Sequence, residues 1–317
     1  MIKIDKSTIK NFAESLNDEV ALQGLGFATT IVQNALSAIS DVNPYVSKDF
    51  EILPFGSFYS GAVLPSSTID LFVLVNNPQI ELNTHKLFKN KWVIFKERLK
   101  YAWANRKKKK KKKKRKKQSA EEAPVNLYET HKEDYNLAYF TKDLVHAIAK
   151  EITQDDVAFS ARGVIGVQGK NVPYNIRIYP VIKKEDSTFL FYAPNKKKLK
   201  EFKLVDYFQN INHLLNQSFS EKFLQLVVCF KGLYEHLMQD SSKGLFMESL
   251  IANLPYSAFE SEDIYDNFVF ATNYLINTPI RKLFSISSTN KKIFEDDMCQ
   301  VQYQDINKFF NKLVQGV

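Results

Sequence analysis

Phe55-Gly-Ser-Phe-Tyr-Ser-Gly-Ala-Val-Leu-Pro-Ser-Ser-Thr-Ile-Asp-Leu71 is the stretch on which the reading of this chain turns. It opens with a Gly-Ser pair after the short strand-like run Phe50–Phe55. It then passes through Gly61 and Pro65, residues that punctuate turns, and enters the dense apolar run Ile69–Val75, which Asn76-Asn77-Pro78 ends. An apolar run of this length bounded by turn residues predicts a strand buried on both faces, with Asp70 inside it. A carboxylate in a strand that is otherwise Ile, Leu, Phe and Val is costly to bury without a partner or a task.

Outward from that stretch, apolar residues recur at three- and four-residue steps from Ile9 to Ile39, which predicts helices broken near Asn17–Asp18. Residues 79–105 and Leu137–Ile152 also carry helical spacing. Strands are expected near Val157–Ala161, Gly163–Gln168 and Val172–Ile182. From Phe202 the pattern is helical to the end, with no repeat unit. The expected fold class is α/β (α+β): a mixed-sheet palm at residues 46–190, and a helical domain at 195–317 against which the N-terminal helices of residues 1–45 pack.

The chain has 317 residues and a formal charge of +9, with 44 Lys plus Arg against 35 Asp plus Glu. Twelve of the cations form one run, Arg106–Lys117, and without it 32 basic residues face 35 acidic ones. The basicity is therefore local, and the run with its continuation to residue 127 is expected as a solvated insertion in the palm. Arg106, Lys107, Lys110, Lys114, Arg115 and Lys117 are candidate contacts to an RNA phosphate backbone, and the run also has the make-up of a nuclear import signal. Lys196, Lys197, Lys198 and Lys200 form a smaller basic cluster. Two cysteines, Cys229 and Cys299, are too few for a disulfide framework or a four-ligand zinc site, and an intracellular setting is expected. The apolar runs fall far short of the roughly 20 residues that span a bilayer, so no membrane partner is expected. The five histidines have no metal-ligand spacing, and Gly163, Gly166 and Gly169 lie between strands, which does not suit a dinucleotide fingerprint.

Phe55, Gly56, Ser57, Phe58, Gly61, Leu64, Pro65, Ser67, Ile69, Asp70 and Leu71 resemble, in fixed register, the core motif of the nucleotidyltransferase superfamily, most closely the non-canonical poly(A) and poly(U) RNA polymerases. The resemblance implies that Gly56 and Ser57 approach a triphosphate and that two carboxylates spaced i, i+2 on one strand face hold Mg²⁺ or Mn²⁺. A third carboxylate would come from a neighbouring strand. Here the first of those positions is Thr68, only Asp70 is kept, and the third falls on Asn175 or, in a shifted register, Arg177. A single carboxylate is a poor divalent-cation site, and an inward Arg177 would compete with a metal.

Further along, the helical stretch Phe223–His236 resembles the family's helix that brings a lysine to the triphosphate, and Lys231 takes that position. A second basic position is Glu235. Lys243–Leu250 resembles the turn and helix after it, with Phe246-Met247 in place of a Ser-Ser pair and Glu248 in place of a stacking Tyr. The resemblance thus implies a catalytically impaired relative of RNA 3′-end nucleotidyltransferases that binds RNA or a protein partner in a processing complex and needs no metal. The alternatives are an active enzyme that adds AMP or UMP with Mg²⁺ or Mn²⁺, drawing a carboxylate from Glu51 or Asp155–Asp156, or a relative of the cyclic-nucleotide and oligoadenylate synthases.

Overall fold

The structure is a computed structural model and describes residues 4–16, 18–48, 50–89, 131–152, 157–159, 164–169, 172–184, 188–193, 198–240, 243–288, 290–296, 299 and 301–315. The run Arg106–Lys117, with its candidate contacts Arg106, Lys107, Lys110, Lys114, Arg115 and Lys117, lies outside these, as do Asp155 and Asp156.

One mixed sheet carries the N-terminal half. Its strands are β1 (Glu51–Phe55), β2 (Ile69–Val75), β3 (Val157–Phe159), β4 (Ile165–Gly169), β5 (Val172–Lys183), β6 (Phe189–Ala193) and β7 (Lys198–Phe202). The order is β1-β2-β5-β4-β3, with β6 pairing β5 and then β7. Only β2 and β5 run parallel, and that pair sets the site: Asp70 lies opposite Arg177, and Phe72 opposite Tyr179.

Every residue of β2 is buried, because its two faces serve two cores. Ile69, Leu71, Val73 and Val75 pack in one apolar cluster with α2 (Asp18–Ser40) and α5 (Leu137–Glu151), while Phe72 and Leu74 pack in the other with the C-terminal helices. Side chains alternate along a strand, so Asp70 shares the second face. Between α2 and α5, α3 (Ser57–Ser60) caps the turn after β1, and α4 (Pro78–Lys89) follows β2.

The C-terminal helices are α6 (Leu204–Leu215), α7 (Ser220–Met238), α8 (Gly244–Ala252), α9 (Ile264–Asn277) and α10 (Tyr303–Gln315). The central helix is α7: eleven of its residues are buried, from Phe223 to Leu237. Against it lies α1 (Lys6–Glu14), whose Ile9 and Ala13 join the same cluster. Gly232 lets this crossing close up, since a Cβ there would come within 2.3 Å of the Phe12 ring.

Two features bear on how the chain divides. Of the N-terminal helices, α1 joins the cluster of the C-terminal helices, whereas α2 presents Ala28, Val32, Ala35 and Leu36 to the palm's cluster. The sheet also runs past residue 190. The β6–β7 hairpin extends it to Phe202; Lys198 and Lys200 of the second basic cluster fall in β7, which among the described residues pairs with β6 alone, while Lys196 and Lys197 lie outside the described residues. Lysine in an edge strand discourages pairing with another chain.

Candidate functional site

Gly56 is the hinge of the site. It stands between β1 and α3 at φ +64° and ψ −141°, a region closed to residues with a Cβ, and an added Cβ would sit 3.7 Å from Asp70 Oδ2. The turn therefore brings backbone directly against the one carboxylate of the motif. Tyr59 and Ser60 donate their backbone N–H groups to Gly56 O, and Gly61 at φ +86° closes the short helix.

Asp70 is 7% exposed, and three groups converge on it. Arg177 Nη2 donates to Oδ2 at 2.7 Å, Arg177 Nε makes an ion-pair contact with Oδ1 at 2.7 Å, and the Tyr179 hydroxyl donates to Oδ1 at 3.1 Å. Burial alone would lower the guanidinium's pKa, but Asp70, together with Tyr179 and Asp240, more than offsets this and holds Arg177 above its ordinary value. Asp70 is thus a satisfied carboxylate within a charge pair, with both oxygens engaged.

This arrangement tests the expected metal. Thr68, half-buried at the entrance to β2, offers no carboxylate, Asn175 is exposed, and the residue opposite Asp70 is a cation. Glu51, one of the substitute carboxylates considered, is paired with Lys183 at 3.3 Å and lies at the far end of β1, about 13 Å along the strand from Phe55. Among the described residues no group of three or more His, Cys, Asp or Glu side chains could hold a metal ion. The donor set does not fit Mg²⁺ or Mn²⁺, which need several oxygen ligands.

Lys231 comes from α7 and is buried at the wall of the narrow cleft between the halves, with its ammonium already engaged. Its ammonium donates to Ser57 Oγ at 2.7 Å, to Ser67 Oγ at 3.1 Å and to Ala62 O. Three donors meet three acceptors, so the lysine expected at a triphosphate fastens α7 to the loop 57–67. Burial lowers its pKa, opposed by the charges of Glu248, Asp70 and Glu235.

Glu248 also departs from expectation. It is fully buried on α8, where Ser60 donates to Oε1 at 2.9 Å and the Tyr207 hydroxyl lies 3.2 Å from Oε2. The same phenol lies 3.1 Å from Gly56 O. One phenolic proton cannot serve both acceptors, and a protonated Glu248 resolves the conflict by donating its own proton to the phenol. Burial raises the carboxyl's pKa in the same sense, against the pull of Lys231. Phe246 and Met247, its neighbours, are fully buried core residues.

The remaining contacts close the space between the halves. Ser66 donates to Glu235 Oε2 at 2.5 Å, and a Cβ on Gly244 would lie 2.7 Å from Ser57 Oγ. What is left is a narrow cleft lined by Ser66, Ser67, Glu235, Asp240, Lys243 and Gly244, with Lys243 and Asp240 paired at 3.2 Å. Tyr179 and Tyr207 were missed in the sequence reading. Tyr179 was open to detection, since it lies two residues from Arg177 and shares its strand face. Tyr207 was not, since nothing near it in sequence marks a contact with Gly56.

A family model for the nucleotidyltransferase domain matches residues 36–145. No curated protein matches the chain in sequence. Among solved structures, the Rhodothermus marinus CdnE c-UMP-AMP synthase is 15% identical with a TM-score of 0.59, covering 98% of this chain and 95% of that one. The Elizabethkingia meningoseptica CdnE cyclic dinucleotide synthase is 13% identical, with a TM-score of 0.57 and coverage of 98% and 97%. Escherichia coli MS115-1 CdnC is 15% identical, with a TM-score of 0.59 and coverage of 98% and 89%. The chain therefore has the nucleotidyltransferase fold. Two of these structures are cyclic dinucleotide synthases; the similarities show the fold, and the finer expected likeness to poly(A) and poly(U) polymerases is not among them.

Proposed function

We propose that this protein is a relative of the cyclic dinucleotide synthases that keeps the fold but does not transfer nucleotides, and acts by binding. The observation that carries this reading is the state of Asp70: the motif's one remaining carboxylate is held by Arg177 and Tyr179, with no acid at 68, 175 or 177 to complete a metal site. Without clustered carboxylates nothing holds the divalent ions that would stabilise an attacking hydroxyl and a departing pyrophosphate. The similarity in fold to synthases over nearly the whole chain supports the ancestry, and the occupied carboxylate supports the loss.

The test is incubation of the full chain with labelled ATP, GTP, CTP and UTP, singly and in pairs, with Mg²⁺ or Mn²⁺, followed by separation of the products. Neither a cyclic dinucleotide nor a linear dinucleotide is expected, and an RNA primer should not be extended. A product that disappears in Asp70→Ala would refute the reading.

RNA is the proposed macromolecular ligand, through the cations of Arg106–Lys117. Such contacts release counterions, so affinity should fall steeply with salt, with a log–log slope of about −0.7 per phosphate engaged on a single strand. Deleting residues 106–117 should remove most of that slope. Undiminished salt dependence in the deletion would end the RNA proposal and leave the fold assignment untouched.

A further inference from the structure

A short ladder joins two surface segments of the C-terminal half. Ser285 donates its backbone N–H to Lys291 O at 2.9 Å, and Ile293 donates its own to Leu283 O at 3.0 Å, so Phe284 and Lys292 stand opposite each other in an antiparallel bridge. Such a pair, flanked by hydrogen bonds but making none between its own members, brings its two side chains together on one face. Leu283 and Ser285 are buried on the other face, while Phe284 is 46% exposed. Its backbone is held at both polar groups by one side chain: Asn253 Nδ2 donates to Phe284 O at 2.8 Å, and Phe284 N–H donates to Asn253 Oδ1 at 3.2 Å. An exposed ring on a fixed backbone can receive a planar partner with little loss of freedom.

Cations surround this ring. Lys292 Nζ lies 3.2 Å from the centre of Phe284, and the Arg281 guanidinium lies 4.0 Å from the centre of Tyr303, which holds it beside the bridge. With Lys282 and Lys291 they put four positive charges on two short segments, residues 280–285 and 291–296, whose one exposed acid is Glu295. Asp296, the other carboxylate there, is buried and accepts from the Ser285 and Ser287 hydroxyls. Among the described residues none of the four cations is in an ion pair.

We infer that this face is a binding surface for single-stranded nucleic acid, on which an unpaired base stacks against Phe284 and the phosphates on either side meet Arg281, Lys282, Lys291 and Lys292. The inference goes beyond the proposed reading, whose RNA contact is the run Arg106–Lys117. It stands on different residues, so either can fail without the other.

The alternation of ring and cation selects the ligand. A nucleic acid strand presents a planar base and an anionic phosphate in turn, and every base has a face that an aromatic ring can take. In a duplex those faces are covered by neighbouring bases, so an exposed phenyl ring gains nothing from one. An acidic peptide would satisfy the cations and leave Phe284 without a planar partner. Lys292 does not block the ring, because a cation over an exposed ring is held more weakly than a stacked base, and its flexible stem lets the ammonium follow a phosphate instead.

The experiment is titration of the full chain into a fluorescein-labelled single-stranded oligouridine, read by anisotropy at several salt concentrations, with a duplex of equal length and polyglutamate as the other probes. Phe284→Ala should weaken single-strand binding about five- to 150-fold, the range for losing one base–aromatic stack, and leave the salt slope unchanged. Phe284→Trp should bind at least as tightly as the unaltered protein, which supplies the answer if the alanine variant does not fold. Lys282→Gln with Lys291→Gln should reduce the log–log salt slope by about 1.4, at about 0.7 per phosphate contact. The Phe284 effect should persist in the chain lacking residues 106–117. A slope lost in that deletion with no effect of Phe284→Ala would uphold the lysine run and overturn this face, and the converse would uphold this face alone. No single-strand binding, duplex binding that depends equally on Phe284, or polyglutamate binding with the same dependence, which would mark an acidic protein as the partner, would each overturn the inference.

Discussion

Replacing Lys231 with Met tests whether the buried polar contacts hold the two halves of the molecule together. The change keeps much of the side-chain volume and removes an ammonium that donates to Ser57 Oγ, Ser67 Oγ and Ala62 O. The two hydroxyls can rotate to other partners, but Ala62 O is a backbone acceptor and stays unpaired, at a cost of about 1–3 kcal/mol. Glu248, fully buried nearby, also loses a cation whose charge opposes its burial, an influence felt at a distance because the ammonium's own hydrogen bonds go to Ser57, Ser67 and Ala62. Burial lowers the ammonium's own pKa to about 8, and relief from burying it offsets part of the cost, leaving a net loss of about 2 kcal/mol near pH 8. The sign with pH follows from Glu248, whose folded pKa lies above the ordinary 4.5. Over that interval the folded state holds a proton that the unfolded state has lost, so stability falls as pH rises through it. Removing Lys231 raises the folded value further and steepens the fall. The variant should therefore lose only about 1–2 kcal/mol near pH 5, where the carboxyl is protonated and the unpaired carbonyl is the main cost. Urea unfolding followed by far-ultraviolet circular dichroism at the two pH values reads both numbers, and the double variant with Glu248→Gln should recover part of the loss at pH 8. A cost below about 1 kcal/mol, or the same cost at both pH values with strictly additive variants, would refute an electrostatic coupling between these two residues.

Gly244→Ala should destabilise by about 1–3 kcal/mol in the same assay, since its Cβ would meet Ser57 Oγ at 2.7 Å; a neutral change would mean that α8 does not press on the turn. Thr68→Asp with Arg177→Asp places three carboxylates around position 70 and should make the thermal midpoint rise with added Mn²⁺, while the unaltered protein shows no such rise; no response would show that more than the acids has been lost. Cys229, its thiol pushed up to about 12 by burial, and Cys299, raised by burial and by Asp296, should react with a thiol reagent only after denaturation, and fast native labelling of either would contradict their placement.

The parts of the fold that could be read in advance are those where local pattern and burial agree. The run Ile69–Val75 is apolar at all but one position because both its faces are covered, and the Gly-Ser turn before it needs a glycine because its backbone takes φ +64°. What could not be read depends on chain distant in sequence. The placement of α2 is one case, since an amphipathic helix declares an apolar face without saying which core receives it. The lysines at β7 are another, because an edge strand and a solvated loop have similar composition. Within the site, the positions of Lys231 and Glu248 were legible from the motif, but their contacts were not. A motif lists residue types, whereas whether Lys231 faces a ligand or spends its donors on Ser57, Ser67 and Ala62 is settled by how closely α7 approaches that loop.

The two-faced character of β2 has a consequence for how the molecule unfolds. Phe72 and Leu74 belong to the core of the C-terminal helices, while Leu71 and Val73, their neighbours in the chain, belong to the core of the palm. A chain cut after the sheet would leave the first pair without its covering helices, and a fragment of those helices alone would lack the wall they pack on. Though two lobes to the eye, the architecture should therefore melt as a single cooperative unit, since one seven-residue strand is shared by the cores of both halves.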